Sequence, residues 1–187
     1  TGVQTCALPS CVSLTGIQIV VDGDATVAAD QVDVEFNGPV TGNGTLTATD
    51  TFAIAGNGSS GMGGYTININ DGSVLTSTNA PAVYHPNDGT VNISGGTITG
   101  ATAVYQKSGA LNITGGTLAA TGTAADYTYN GNGANSTGDA LVIDTCGYPG
   151  GAPTTTISGG TFTSTNAKAV ASYAYGEGNT AETGFVS

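Results

Sequence analysis

The chain has 187 residues, enough for one domain with a hydrophobic core. Thirteen acidic side chains against only two basic ones give a formal net charge of −11, and both basic residues are lysines. So few cations cannot neutralise a row of phosphates, which argues against nucleic acid as a partner. No segment approaches the roughly 18 consecutive apolar residues of a membrane span. The scarcity of Glu, Lys, Gln and Met argues against a helical domain.

The first ten residues differ in character from the rest of the chain. Residues 1–9, Thr-Gly-Val-Gln-Thr-Cys-Ala-Leu-Pro, resemble the translation of a short-read sequencing adapter. This resemblance implies a non-native leader over residues 1–10, environmental DNA as the source, and a signal peptide lost by truncation. We therefore predict one domain over residues 11–187.

Asp22 and Asp24 are the first candidate ligand residues. Carboxylate oxygens bind hard cations such as Ca²⁺, but that ion takes about six to eight oxygen ligands. Two carboxylates do not form such a cage. We interpret this segment as a solvated turn, and the sequence predicts no metal site and no cofactor.

An internal repeat occupies most of the chain from residue 40 onwards. The segment Ile93-Ser-Gly-Gly-Thr-Ile98 recurs at 113–118 and 157–162, and in weaker form at 69–74 and, with one extra residue, at 40–46. A second block, alanine followed by an apolar residue, comes after each copy: Ala53-Ile54, Ala82-Val83, Ala103-Val104, Ala140-Leu141 and Ala169-Val170. Because the order never changes, we expect each copy to form one structural unit.

The length of the repeat favours one coil of a parallel β-helix. Ile93 and Ile113 are 20 residues apart, which is too short for a pair of helices. Alternation predicts that Val91 and Ile93 point inward and Asn92 outward, and Gly95-Gly96 suits a sharp corner. We predict three short strands in this coil, at 91–93, 97–99 and 103–105.

The predicted fold class is all-β: a right-handed single-stranded parallel β-helix (β-solenoid) of about five to six coils, incomplete at one or both ends. The handedness follows from the general rule for parallel crossovers. Two other folds fit the sequence less well. An antiparallel β-sandwich does not require one motif in a fixed order, and the calcium-binding nonapeptide solenoid requires an Asp that residues 58–64 lack.

The Ile-Ser-Gly-Gly-Thr coils resemble the parallel β-helix repeat regions, with a pectin-lyase-like superhelix, of large secreted or surface-attached bacterial proteins. The similarity covers about residues 20–187. It implies export, an extracellular or cell-surface location, and adhesion, display or contact with glycans or a host surface. Enzymes of this fold carry Asp pairs with Arg, Lys or His on one face. We find no matching motif, and we predict no catalytic residue.

Two single residues are candidates for a catalytic, disulfide or metal-binding role. His85 is the only histidine and could act as a general base beside a carboxylate. Its neighbour Pro86 favours an exposed corner instead. Cys146 belongs to no disulfide or zinc pattern, and we interpret it as a lone buried or half-buried thiol.

Tyrosines supply the candidate binding residues. Tyr84 and Tyr105 follow the second block in neighbouring copies, so their rings point outward one coil apart. They form either an aromatic strip that stacks on sugars or a pair that stabilises the sheet. A loop insertion at about 121–138, which we expect to be dispensable for folding, supplies further candidates. The glycan-binding candidates are Tyr84, Tyr105, Asp126, Tyr127, Tyr129, Asn130 and Asp139.

The sequence therefore predicts a non-catalytic extracellular protein, a structural spacer or an adhesin-like β-helix. A glycan-binding module is the second hypothesis, and a polysaccharide lyase or hydrolase is the third. Val186-Ser187 resembles the start of a further coil. We therefore expect an open C-terminal face around Phe162 and Val170, and end-to-end self-association through it.

Overall fold

A computed structural model describes residues 44–175 and, in addition, the backbone of four earlier strands. The expectations for residues 1–10, for Asp22 and Asp24 and for residues 176–187 lie outside the described residues. The predictions of a leader, a solvated turn and an open C-terminal face are therefore not tested.

The chain forms eighteen short strands within the described residues, and together they make a parallel β-helix. In chain order they are β1 (Val12–Ser13), β2 (Gln18–Val20), β3 (Val27–Ala28), β4 (Val34–Phe36), β5 (Thr45–Ala48), β6 (Ile54–Ala55), β7 (Thr66–Ile69), β8 (Val74–Ser77), β9 (Pro81–His85), β10 (Thr90–Ile93), β11 (Thr97–Gly100), β12 (Thr102–Gln106), β13 (Ala110–Ile113), β14 (Thr117–Ala120), β15 (Leu141–Thr145), β16 (Thr154–Ile157), β17 (Thr161–Ser164) and β18 (Val170–Ala174).

Each strand pairs in parallel with the strand three positions further along the chain, which produces three six-stranded sheets. Sheet A contains β1, β4, β7, β10, β13 and β16. Sheet B contains β2, β5, β8, β11, β14 and β17. Sheet C contains β3, β6, β9, β12, β15 and β18. One strand from each sheet forms one coil, so the six coils agree with the predicted number. The handedness stays a prediction.

Apolar columns run along the inside of the coils, as the repeat predicts. Ile93 pairs with Ile113, and Ile113 pairs with Ile157, in sheet A. In sheet B a second column joins Ile98, Leu118 and Phe162. The members in the middle coils are buried, and Ile157 and Phe162 in the sixth coil are half-buried against the same core. Both predicted columns are confirmed.

The two weaker copies of the repeat are aligned differently from the sequence prediction. Leu75, not Val74, pairs with Ile98, because the turn after Ile69 has one residue more than the turn after Ile93. The extra residue moves Val74 to the outer face, where it is 39% exposed, and places Leu75 in the core. In the earlier copy Phe36, not Val40, pairs with Ile69.

The Gly-Gly corner between sheets A and B has a steric explanation. Gly96, Gly116 and Gly160 occupy the same corner in successive coils with φ values of 81°, 85° and 96°, a region that favours glycine. A Cβ atom on Gly116 would lie 2.6 Å from the carbonyl oxygen of Gly95 in the preceding coil. The corner therefore requires glycine both for its backbone angles and for the close stacking of the coils.

Candidate functional site

The outer face of sheet C carries a second hydrophobic cluster. Its buried members are Ala55, Tyr84, Tyr105, Val142, Ala171 and Tyr173. Tyr84 pairs in register with Tyr105, and Tyr105 with Val142, so these side chains form a row across neighbouring coils. They point outward because Val83 and Val104, one position earlier, point into the core.

The insertion between β14 and β15 packs over this row. Tyr127 and Ala134 of the insertion contact the cluster, and Phe52 contacts it as well. The Phe52 ring stacks on Tyr84 with 4.5 Å between centroids. Tyr84 is consequently only 5% exposed and Tyr105 only 1%. The expected outward direction of the two rings is correct. Of the two alternatives, the structure agrees with the pair that stabilises the sheet, because the ring centroids lie 6.4 Å apart and the insertion covers them.

A buried ion pair lies in the layer between sheet C and the insertion. The Lys107 Nζ atom is 4.0 Å from Oδ2 of Asp144, and both side chains have 0% exposure. Asp144 accepts hydrogen bonds from the hydroxyl of Tyr105 at 3.0 Å and from that of Tyr127 at 2.8 Å. Lys107 Nζ donates to the backbone carbonyl oxygen of Asn130 at 2.5 Å. The pair therefore anchors the insertion to the scaffold.

Burial sets the protonation of the groups around Asp144. It raises the pKa of the Tyr105 and Tyr127 hydroxyls above the usual range, and the nearby Asp144 carboxylate adds to the effect. Both hydroxyls therefore remain hydrogen-bond donors. Burial raises the pKa of Cys146 to about 12, with Asp144 as the second cause. The cysteine is a free thiol, not a thiolate, at neutral pH.

Three aromatic rings surround the Lys107 ammonium group. Its Nζ atom lies 4.3 Å from the ring centroid of Tyr148, 5.6 Å from that of Tyr129 and 5.9 Å from that of Tyr105. A cation within about 6 Å of a ring centroid is attracted by the ring quadrupole. Lys107 therefore holds Tyr129 of the insertion and Tyr148 of the following loop against sheet C.

An open cleft of about 520 Å³ lies beside this layer. Rings of Phe52, Tyr84, Tyr129 and Tyr148 line it, together with amides, a hydroxyl and glycine backbone from residues 56–59, 131–133 and 147–149. Tyr129 is 38% exposed and stacks on Tyr175 with 3.8 Å between ring centroids. None of the lining residues carries a charge. The cleft thus combines an exposed aromatic ring with neutral hydrogen-bonding groups.

The hydroxyls at the base of the cleft are fixed by the insertion. Tyr84 donates a hydrogen bond to the carbonyl oxygen of Gly133 at 3.1 Å and contacts the hydroxyl of Tyr148 at 3.2 Å. The backbone N–H of Gly133 donates to the Tyr148 hydroxyl at 3.2 Å. Since these groups hold one another, the base of the cleft is preformed.

The remaining predicted site residues lie in different environments. Asp126 is exposed, and the Asn130 side chain is half-buried and joins Asn135 of the same loop at 3.0 Å. Asp139 is 1% exposed and accepts hydrogen bonds from the Tyr173 hydroxyl at 2.7 Å and from the Lys168 backbone N–H at 2.9 Å. Asp139 is therefore a buried anchor for β18 and does not face the cleft.

Phe52, Lys107, Asp144 and Tyr148 belong to this region but were missed in the sequence. Lys107 has a usable signal, because it is one of only two lysines and lies two residues after the strand predicted at 103–105. Phe52 and Tyr148 lie in segments between the repeat blocks, where no periodicity indicates the direction of a side chain.

His85 is buried and does not lie in an exposed corner as the sequence suggested. Strand β9 continues through this residue and ends only before Pro86. The Nδ1 atom accepts a hydrogen bond from the Tyr65 hydroxyl at 2.9 Å, and Nε2 donates to the carbonyl oxygen of Ala110 at 3.1 Å. Burial lowers the pKa of His85 to about 4. The imidazole is a neutral bridge between Tyr65 and Ala110, which are 45 residues apart in the chain.

No family model, no curated protein and no solved structure matches the sequence. The part of the chain that the structure describes contains no helix of the length and apolarity needed to cross a bilayer. Within the same residues, no three His, Cys, Asp or Glu side chains are grouped in a way that could hold a metal ion.

Proposed function

We propose that the protein is an extracellular, adhesin-like β-helix that binds an uncharged glycan in the cleft beside sheet C. The observation that carries the proposal is the uncharged lining of this cleft, with the ring of Tyr129 exposed at its edge. The six stacked coils supply a rigid scaffold, and the insertion and two loops supply the recognition surface. Loops on a rigid scaffold are a common location for binding residues.

The chemistry of the lining fits a neutral sugar. One face of the Tyr129 ring stacks on Tyr175, and the part of the ring that remains exposed offers apolar surface to the C–H groups of a sugar beside a polar hydroxyl. Asn57, Ser59 and Asn132 add amide and hydroxyl groups that can donate and accept hydrogen bonds. The cleft volume of about 520 Å³ lies within the roughly 300–1,000 Å³ of small-molecule sites.

A charged ligand is disfavoured by the same lining. The Lys107 ammonium group lies behind the rings with 0% exposure and is already paired with Asp144. The chain carries a net charge of −11, which repels anionic polymers. We therefore expect neutral oligosaccharides to bind and uronic or sialic acids to be rejected.

A structural spacer without a ligand is the second candidate function. The unbroken registers of sheets A and B favour it, since continuous columns such as Ile93, Ile113 and Ile157 make a stiff rod. In that case the aromatic layer serves only to fasten the insertion. The two functions differ in whether the cleft has a ligand.

The test is a glycan array of neutral and anionic oligosaccharides probed with the wild-type chain and two variants. Tyr129→Ala removes the exposed ring of the cleft. Val74→Ala is the matched control, because Val74 is equally exposed, at 39% against 38%, but lies on sheet B. We expect binding to neutral glycans that Tyr129→Ala weakens about two- to tenfold, since ring contacts contribute about 0.5–1.5 kcal/mol.

Thermal unfolding of each variant separates lost binding from lost folding. Binding that Val74→Ala retains and that a folded Tyr129→Ala protein loses would support the glycan site. An array with no bound glycan would leave the spacer function as the better account. Equal binding by both variants would place the site elsewhere on the protein.

A further inference from the structure

The most unusual chemical feature of the molecule is the pair formed by Lys107 and Asp144. Lys107 directly follows β12, and Asp144 lies in β15, the neighbouring strand of sheet C. The amine nitrogen and the nearer carboxylate oxygen are 4.0 Å apart, and both side chains are shielded from water. We propose that the two side chains condense to an isopeptide bond, an amide between Nζ of Lys107 and Cγ of Asp144.

This modification would crosslink two neighbouring coils covalently. It concerns a buried pair behind the cleft and does not depend on the proposed glycan ligand. Holding an amine and a carboxyl group in one fixed arrangement makes their reaction effectively unimolecular. This lowers the activation free energy by a large amount. The shielding from water also protects the product from hydrolysis.

The hydrogen bonds at Lys107 Nζ match those of an amide nitrogen, while the contacts with three rings hold the ammonium group in place before the reaction. An ammonium group has three N–H donors. Lys107 Nζ makes one hydrogen bond, to the carbonyl oxygen of Asn130, while the 4.0 Å to Asp144 is longer than a hydrogen bond. An amide nitrogen has a single N–H, and the carbonyl of Asn130 is placed to accept it.

The carboxyl group of Asp144 is also placed for the reaction. Its Oδ1 atom accepts a hydrogen bond from Tyr127 at 2.8 Å, and its Oδ2 atom accepts one from Tyr105 at 3.0 Å. In the product, Oδ1 remains as the amide oxygen and keeps the hydrogen bond from Tyr127. The thiol of Cys146 stays protonated because burial raises its pKa to about 12, so it does not compete as a nucleophile.

The reaction balances without an oxidant or a cofactor. The Nζ–Oδ2 distance of 4.0 Å first shortens to that of a hydrogen bond, and a proton then passes from the Lys107 ammonium to Oδ2 of Asp144, which leaves a neutral amine and a neutral acid. The nitrogen lone pair attacks Cγ, and the hydroxyl of Tyr127 stabilises the charge that develops on Oδ1. A second proton passes from the nitrogen to Oδ2, the Cγ–Oδ2 bond breaks, and one water molecule leaves.

The test is the intact mass of the purified, folded full chain, followed by peptide mapping. We expect the wild-type mass to be lower than the sequence mass by one water molecule, and a branched peptide joining Lys107 to Asp144. Lys107→Arg should have the full sequence mass. Lys168→Arg is the matched control, since it changes the other, exposed lysine and should keep the water loss. Asp144→Asn should lose ammonia instead and reach the same product mass.

Two results would overturn the proposal. One is a cooperatively folding wild-type protein that keeps the full sequence mass after prolonged incubation. The other is a water loss that persists in Lys107→Arg, because the dehydration would then occur elsewhere, for example at an Asp-Gly sequence. The wild-type measurement decides the matter even where a variant fails to fold.

Discussion

Replacing Ile113 by alanine is the most direct perturbation of the internal columns. Its side chain has 0% exposure and lies between Ile93 and Ile157 of the adjacent coils. The substitution deletes about three buried methyl or methylene groups at about 0.8 kcal/mol each, or roughly 2.4 kcal/mol of transfer free energy. A cavity between two fixed coils cannot collapse fully, and its contribution brings the total to about 3–4 kcal/mol.

Urea unfolding followed by circular dichroism measures this loss of stability directly. For a domain of this size the expected loss corresponds to a melting temperature about 10 °C lower. Ile157→Ala is the matched comparison, because Ile157 occupies the same column but is only half-buried, so its loss should be smaller. A change below about 0.5 kcal/mol for Ile113→Ala would refute the burial of this column.

Three further predictions follow from buried polar groups and the insertion. The pKa of His85 is about 4 in the folded chain against an ordinary 6.5, so only the unfolded chain binds its proton between these values. Stability should therefore fall by up to about 3 kcal/mol as the pH drops from about 6.5 to 4, and His85→Gln should remove this dependence in urea titrations at several pH values. Asp139→Ala should cost about 2–4 kcal/mol in urea unfolding, because it strands the Tyr173 hydroxyl and the Lys168 N–H, whereas exposed Asp126→Ala should change stability by less than about 0.5 kcal/mol. Deleting residues 124–138 should keep the strand signal in circular dichroism but cost about 3 kcal/mol by uncovering Tyr84 and Tyr105, and an unchanged melting temperature would contradict their burial.

The β-helix could be predicted because each copy of the sequence repeat packs its apolar residues in the same way. Every coil must place an apolar side chain at the same internal position. The equal places of Ile93 and Ile113 in the repeat therefore predict that they pair, without knowledge of the rest of the chain. The same reasoning gave the outward direction of Tyr84 and Tyr105. It failed at Val74, where one extra turn residue reverses the inside and outside of a strand.

The candidate site was harder to predict because it forms outside the repeat. Tyr127 and Tyr148 lie in segments that occur once, and their contacts with sheet C join residues far apart in the chain. No periodicity signals that a loop folds back over a row of tyrosines. The insertion covers a second core, and its exposed aromatic surface is Tyr129 at the edge. That the fold survives without the insertion stays a prediction.

The burial of His85 and of Asp139 illustrates a second limit. A neighbouring proline and an aspartate near a long insertion are both typical of exposed turns. Their burial depends on partners distant in the chain, the Tyr65 hydroxyl and Ala110 carbonyl for the histidine, and the Tyr173 hydroxyl for the aspartate. Such partners become apparent only when the coils are stacked.

The central claim, that the cleft beside sheet C binds a neutral glycan, is tested most directly by a crystal structure with a bound neutral oligosaccharide. The account predicts a sugar ring in contact with the exposed part of the Tyr129 ring, with hydrogen bonds to Asn57 or Asn132 at the edge of the cleft. An oligosaccharide bound at another surface, or an empty cleft at a saturating sugar concentration, would contradict it.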